Sequence, residues 1–123
     1  MRQNPFNKFL GPESKLQIAV GGYLKLQYPK VVWLHPPNEG ARTKYERYLA
    51  KQLGLKAGAS DMIILHPNKH FHGLIIELKI APNKPTPLQN HFLLQLQNVG
   101  YSCHVVYTFD DAKSIIDDYM KNK

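Results

Sequence analysis

Apolar residues recur along the chain with two different periods, and each change of period marks an element. After Gly11 and Pro12, Leu16, Val20, Leu24 and Gln27 fall on one stripe of a helix reaching about Gln27, with Pro12 suited to its first turn. Glu13 and Gln17 project onto that stripe, which puts them either at its solvated end or turned into a site. Gly21-Gly22 interrupts the run at roughly 1 kcal/mol per glycine relative to alanine, a cost that close packing or a kink would explain. Val31 to Leu34 reads as a short strand. The loop His35-Pro36-Pro37-Asn38-Glu39-Gly40 then leads into a second helix from about Arg42 to Leu53. On it Tyr45, Leu49 and Leu53 are expected to face inward, with Lys44, Arg47 and Lys51 on the opposite face.

Two strands follow, Asp61 to Leu65 and Leu74 to Ile80, joined by a turn containing Pro67, Asn68 and Gly73. Alternation puts Leu74, Ile76, Leu78 and Ile80 on one face of the second strand and Ile75, Glu77 and Lys79 on the other. Thr86-Pro87-Leu88-Gln89 opens a helix with Leu88, Phe92, Leu96 and Val99 on one face, ending at Gly100. Ser102 to Tyr107 is again a strand. The last helix starts near Thr108, with Ala112, Ile115, Ile116, Tyr119 and Met120 as its apolar stripe. The order αβαββαβα predicts an α/β fold, a mixed sheet flanked by helices.

With 123 residues, 43% of them hydrophobic, the chain suits one core and one domain. Charge divides it further. Residues 1 to 84 carry thirteen basic and five acidic side chains and residues 85 to 123 carry three and four, so the overall charge of +7 is concentrated in the first part and favours an anionic partner there. The single cysteine, Cys103, excludes an intramolecular disulfide and a Cys-cluster zinc site, and it fits a reducing cytoplasm better than secretion. It reads as a small buried hydrophobe. No segment approaches the roughly 20 apolar residues of a membrane span, and no signal peptide is expected.

The chemistry concentrates in Gly58-Ala59-Ser60-Asp61 and Glu77-Leu78-Lys79. Glu77 and Lys79 lie two apart on a strand, on one face and about 6.5–7 Å from each other, and a paired strand can bring Asp61 beside them. Two partly buried carboxylates need a counter-charge, and their hard oxygens suit Mg²⁺ or Mn²⁺. Glu13 is a candidate further ligand. Charged side chains are out of place among Met62, Ile63, Ile64, Leu65, Leu74, Ile75, Ile76, Leu78 and Ile80 unless they serve a site.

This arrangement resembles the PD-(D/E)XK nuclease superfamily and, within it, the virus-type replication-repair nuclease (VRR-NUC) domain of the stand-alone phage and bacterial type. The likeness runs from Glu13 to about Tyr119. It takes in the first helix, the loop His35 to Gly40, the approach Gly54-Leu55-Lys56-Ala57-Gly58-Ala59-Ser60-Asp61, Glu77-Leu78-Lys79, Gln89 and the Gly100-Tyr101 turn. The resemblance implies a restriction-endonuclease-like sheet, with Asp61, Glu77 and the Leu78 carbonyl as metal ligands. It further implies Lys79 at the attacking water, and Glu13 and Gln89 as supporting site residues. Where the superfamily name expects proline before the aspartate, this chain has Ser60. Gln89 also occupies the N3 position of a capping box, where its amide can simply satisfy the Thr86 N–H.

His35 and Asn38, ahead of the basic helix, are expected to contact DNA phosphate together with Lys44, Arg47, Lys51 and Lys56. His66, His70 and His72 read as exposed loop residues. The leading functional expectation is a metal-dependent DNA endonuclease; the stand-alone relatives imply branched DNA, such as four-way junctions, and a homodimer. The alternatives are a noncatalytic nucleic-acid-binding module on the same fold and a protein-interaction accessory with an idle site. For the dimer the expected contacts are the Gly21-Gly22 helix with Tyr23, or the arm bearing Phe6, Phe9 and Leu10.

Overall fold

The computed structural model describes residues 10–36, 43–54 and 58–123. The elements run α1 (Pro12–Gln27), β1 (Trp33–Leu34), α2 (Lys44–Gln52), β2 (Met62–Ile64), β3 (Leu74–Leu78), α3 (Pro87–Asn98), β4 (Ser102–Val106) and α4 (Phe109–Lys121), the order expected from the periodicity. Helix starts follow local chemistry. Thr43, Thr86 and Thr108 each accept a backbone N–H at the N-cap of their helix, and proline stands in the first turn of α1 and α3, where no intrahelical N–H is needed.

The strands form one sheet in the order β1-β2-β3-β4. Both pairs among β1, β2 and β3 are antiparallel; β3 and β4 are parallel, and α3 supplies the crossover that a parallel pair requires. Met62 pairs with Ile76 and Ile63 with Ile75, so the alternation of β2 matches that of β3. Leu74, Ile76 and Leu78 meet Met62, Ile64 and Val106 beneath Leu16, Val20 and Leu24 of α1 and Ala112, Ile116 and Tyr119 of α4. That cluster is the main core. Ile75 and Leu93 are buried outside it, on the side where α3 packs along β4.

α1 runs unbroken through its two glycines. A Cβ at Gly21 would stand 3.0 Å from the Trp33 ring, whereas Gly22 faces open space, so the first glycine is a close-packing position. Gln27, at the end of the helix, is exposed. α1 and α4 are clasped by long-range polar contacts: the Tyr23 and Tyr28 hydroxyls both donate to Asp117 Oδ1, at 2.5 and 2.7 Å. Those donors hold the Asp117 carboxyl below its usual range. A depressed carboxylate contributes stability that is present above its unfolded pKa and lost as pH falls through the folded value. Asp117→Asn should therefore cost about 1 kcal/mol at neutral pH, the scale of partly exposed hydrogen bonds to a charged group. Urea midpoints at pH 7 and pH 3 check this, with the difference between variant and parent shrinking at the lower pH.

Two stripes depart from expectation. Tyr45, Leu49 and Leu53 are exposed, because α1 and α4 cover one face of the sheet and α3 packs on the other, and no third layer of the described residues stands over α2. On α3 the buried residue is Leu93, while Leu88 and Val99 face solvent. The run Phe92-Leu93-Leu94 offers several apolar rotations within one turn, and packing along β4 selects among them. Among the described residues, no helix is long and apolar enough to cross a membrane.

Candidate active site

β2 and β3 bring the site together. Their antiparallel register, carried one residue beyond Met62 opposite Ile76, sets Asp61 opposite Glu77 on the face that Ile63 and Ile75 share. Asp61, Glu77 and Lys79 are 7%, 1% and 9% exposed. The Leu78 N–H donates to Asp61 Oδ2 at 2.7 Å, which pins this carboxylate against β3, and the Lys79 N–H continues the ladder to Val106 at 2.9 Å. Glu77 Oε2 is fully buried without a hydrogen-bond partner. Its carboxyl is pushed up to about 8, first by burial, then by the Asp61 charge and hydrogen bond; Lys79 opposes the rise and Glu13 adds to it.

The other side of Asp61 opens into a cleft of about 470 Å³ lined by Glu13, Ser14, Gln17, His35 and Asp61 with apolar neighbours. Glu13, half-buried, lies in the first turn of α1. His35 Nδ1 is 2.5 Å from the Asp61 carbonyl oxygen, and since a carbonyl only accepts, Nδ1 carries the proton. The segment entering Asp61 is equally fixed. Gly58 has φ +81°, and a Cβ there would sit 2.7 Å from the Leu88 carbonyl group, so the chain is seated on the first turn of α3.

Neither protein-family models nor curated protein sequences give a match to the chain. Solved structures do. A structure described as a VRR_NUC domain protein superposes with a TM-score of 0.77 at 29% identity, covering 92% of this chain and 91% of its own. The chain folds as a VRR-NUC domain. A second structure, described as a VRR_NUC domain, is similar in fold alone, with a TM-score of 0.51 at 20% identity over 85% of this chain and 97% of its own.

Within this VRR-NUC-like fold, the described residues contain no group of three or more His, Cys, Asp or Glu side chains arranged to hold a metal ion. The carboxylates that meet are Asp61 and Glu77, with Glu13 acting on Glu77 through its charge. An orphaned, buried carboxylate oxygen beside a second carboxylate nonetheless fits a hard cation that takes its remaining ligands from backbone oxygen and water.

Gln89 is engaged in the capping box: its Oε1 accepts from the Thr86 N–H at 2.9 Å, and Thr86 Oγ1 accepts from the Gln89 N–H at 3.2 Å. The Lys44, Arg47 and Lys51 side chains are exposed on α2; Asn38 and Lys56 lie outside the described residues. His66, His70 and His72 are exposed in their turn. Cys103 is half-buried and its thiol is pushed up to about 11 by burial, which keeps it protonated and inert. Sequence patterning missed two features of the site. Ser60, in the place of the motif proline, is 1% exposed with an unpartnered Oγ, and His35 is tied to the Asp61 backbone; no local signal announces either.

Proposed function

We propose that the protein is a divalent-metal-dependent DNA endonuclease that hydrolyses phosphodiesters, selects branched DNA such as four-way junctions, and works as a homodimer. The observation that carries this reading is the buried Asp61 and Glu77 pair, with its unpartnered oxygen, on a VRR-NUC-like frame, with the buried Lys79 charge acting on Glu77. The likeness suggests a nuclease-type function and hence a nucleic-acid partner. A noncatalytic binding module would gain nothing from two acids facing phosphate.

Asp61, Glu77 and the Leu78 carbonyl would hold Mg²⁺ or Mn²⁺, with Glu13 outside them. When bound, the cation would offset the phosphate's negative charge and lower the pKa of an attacking water. The chain supplies the rest. The Leu78 N–H fixes the Asp61 carboxylate, leaving its second oxygen for a ligand. Lys79 serves the attacking water, or offsets charge as the transition state forms. Glu13, across the cleft, can accept a hydrogen bond from an ordered water, and Gln89 holds the α3 start against which the Asp61 approach is seated.

Cleavage of linear, flapped and four-way DNA with Mg²⁺, with Mn²⁺ and with chelator tests the proposal. Both branched DNAs should be cut faster than the linear one, and chelator should stop all cutting. Cutting that persists in chelator would remove the metal, and equal rates on the three substrates would remove branch selectivity.

Two symmetric cuts at a junction need two sites, which a C2 dimer provides. Of the surfaces expected to form it, Phe6 and Phe9 lie outside the described residues, and Tyr23 is already occupied by Asp117 and Phe109. The free part of α1 is Ile18, Gly22 and Leu26, spaced one turn apart and exposed. Light scattering at micromolar concentration should read a mass about twice the 14.1 kDa of one chain. A persistent monomer that cuts DNA would point to flap or single-strand cleavage.

A further inference from the structure

We propose that α2 is a platform on which unpaired bases of the DNA substrate stack, so that strands opened near the scissile phosphate are preferred; this rests on the nuclease reading and deepens it. Tyr45 and Tyr48 are 69% and 62% exposed, beside the exposed Leu49 and Leu53. At 100° per residue, Tyr48 lies between Lys44, one turn before it, and Lys51, three residues after, while Tyr45 adjoins it on the apolar side. Arg47 extends the basic row. The helix has one acid, Glu46, and it is drawn to the N-cap, where Thr43 Oγ1 donates to Glu46 Oε1 at 3.0 Å and accepts from its N–H at 3.1 Å. The aromatic strip therefore runs along a positive edge.

That combination selects the occupant. A second copy of the helix would bring the same lysines and arginine against their own kind, a repulsive pairing. An anionic strand with flat bases satisfies both halves, phosphate on the basic row and π-faces on the tyrosines. Spacing separates opened from paired DNA. Neighbouring side chains three apart on a helix stand about 5–6 Å from each other at Cβ, whereas bases in a duplex strand rise by about 3.4 Å and hide their faces. Splayed bases fit; stacked pairs do not.

The placement is apt as well. The chain approaches α2 from His35, which holds the Asp61 carbonyl, and leaves it towards Gly58, seated on Leu88. Thr43 is eight residues beyond His35, and Leu53 eight before Asp61, which limits the distance from helix to site to roughly 30 Å.

The test compares the unaltered protein with the double variants Tyr45→Ala/Tyr48→Ala and Tyr45→Phe/Tyr48→Phe. Fluorescence anisotropy in chelator measures binding to a blunt duplex and to the same duplex with a single-stranded arm; Mg²⁺-supported cleavage of both is measured separately. Stacking on two bases predicts that the alanine pair binds the armed DNA at least about tenfold more weakly. Its affinity for the blunt duplex should change less than threefold, and the phenylalanine pair should keep the parent's preference. Equal losses on both DNAs, or a phenylalanine pair as impaired as the alanine pair, would overturn the platform. So would an alanine pair whose mass by light scattering falls from dimer to monomer, since the face would then join two copies. Cleavage by the unaltered protein without preference for the armed DNA removes the platform and keeps the nuclease. Tyrosine-dependent binding without cleavage under any metal keeps the platform and removes the nuclease.

Discussion

Glu77→Gln and Asp61→Asn should each lower metal-dependent cleavage by about a thousandfold or more, the scale seen when a principal electrostatic group leaves a dry site. Neither change should unfold the protein. Glu77 contributes no packing that glutamine lacks, and its Oε2 has no partner to lose. Its carboxyl is buried beside another carboxyl and pushed up to about 8, so the amide mimics the neutral form and can still donate to the Asp61 carboxylate. Glu77→Gln is therefore expected to melt at or above the parent temperature in chelator while losing activity. Asp61→Asn should melt slightly lower, because the Leu78 N–H would exchange a charged acceptor for a neutral one. Lys79→Met, which keeps the buried stem and removes the ammonium, should reduce kcat and leave metal affinity near the parent value. Measurements of turnover and melting on the same samples decide the matter. Undiminished cleavage in both acid variants would end the nuclease reading, and a collapse of melting temperature in Glu77→Gln would make the pair a structural device.

Gly58→Ala should cost about 2–4 kcal/mol, combining the penalty of a left-handed backbone with that of an overpacked contact. Gly54 provides the control, since its φ is +89° and a Cβ there meets nothing within 4 Å, whereas at Gly58 the Cβ is driven against the Leu88 backbone. Gly54→Ala should lose only the backbone share, about 1–2 kcal/mol. Urea denaturation of both variants reads the difference, and equal losses would mean that the Leu88 contact carries no cost. The extra strain has a functional consequence. Relief requires the approach to Asp61 to move off α3, so Gly58→Ala should also cut more slowly than its folded fraction explains.

Much of the architecture follows from local rules that operate wherever the chain happens to be. The alternation of Leu74, Ile76 and Leu78 against Ile75 and Glu77 sorts β3 into two faces without knowledge of any neighbour. The stripe of Ala112, Ile116 and Tyr119 likewise orients α4, and the threonine caps start three helices. Asp61, Glu77 and Lys79 stand out because charges interrupt apolar strands, and desolvation makes such charges costly unless they serve something.

Tertiary structure decided what depends on distant partners. Whether a helical stripe is buried depends on a layer being there to cover it, which the periodicity of Tyr45, Leu49 and Leu53 could not supply. The rotation of α3 onto Leu93 was set by β4, and the fate of Tyr23 by Asp117, 94 residues away. The meeting of Asp61 with Glu77 is of the same kind. Composition made both acids conspicuous, but a one-residue slip of β2 against β3 would have turned Asp61 to the other face, and only the packing of two unlike faces against α1, α4 and α3 holds that register.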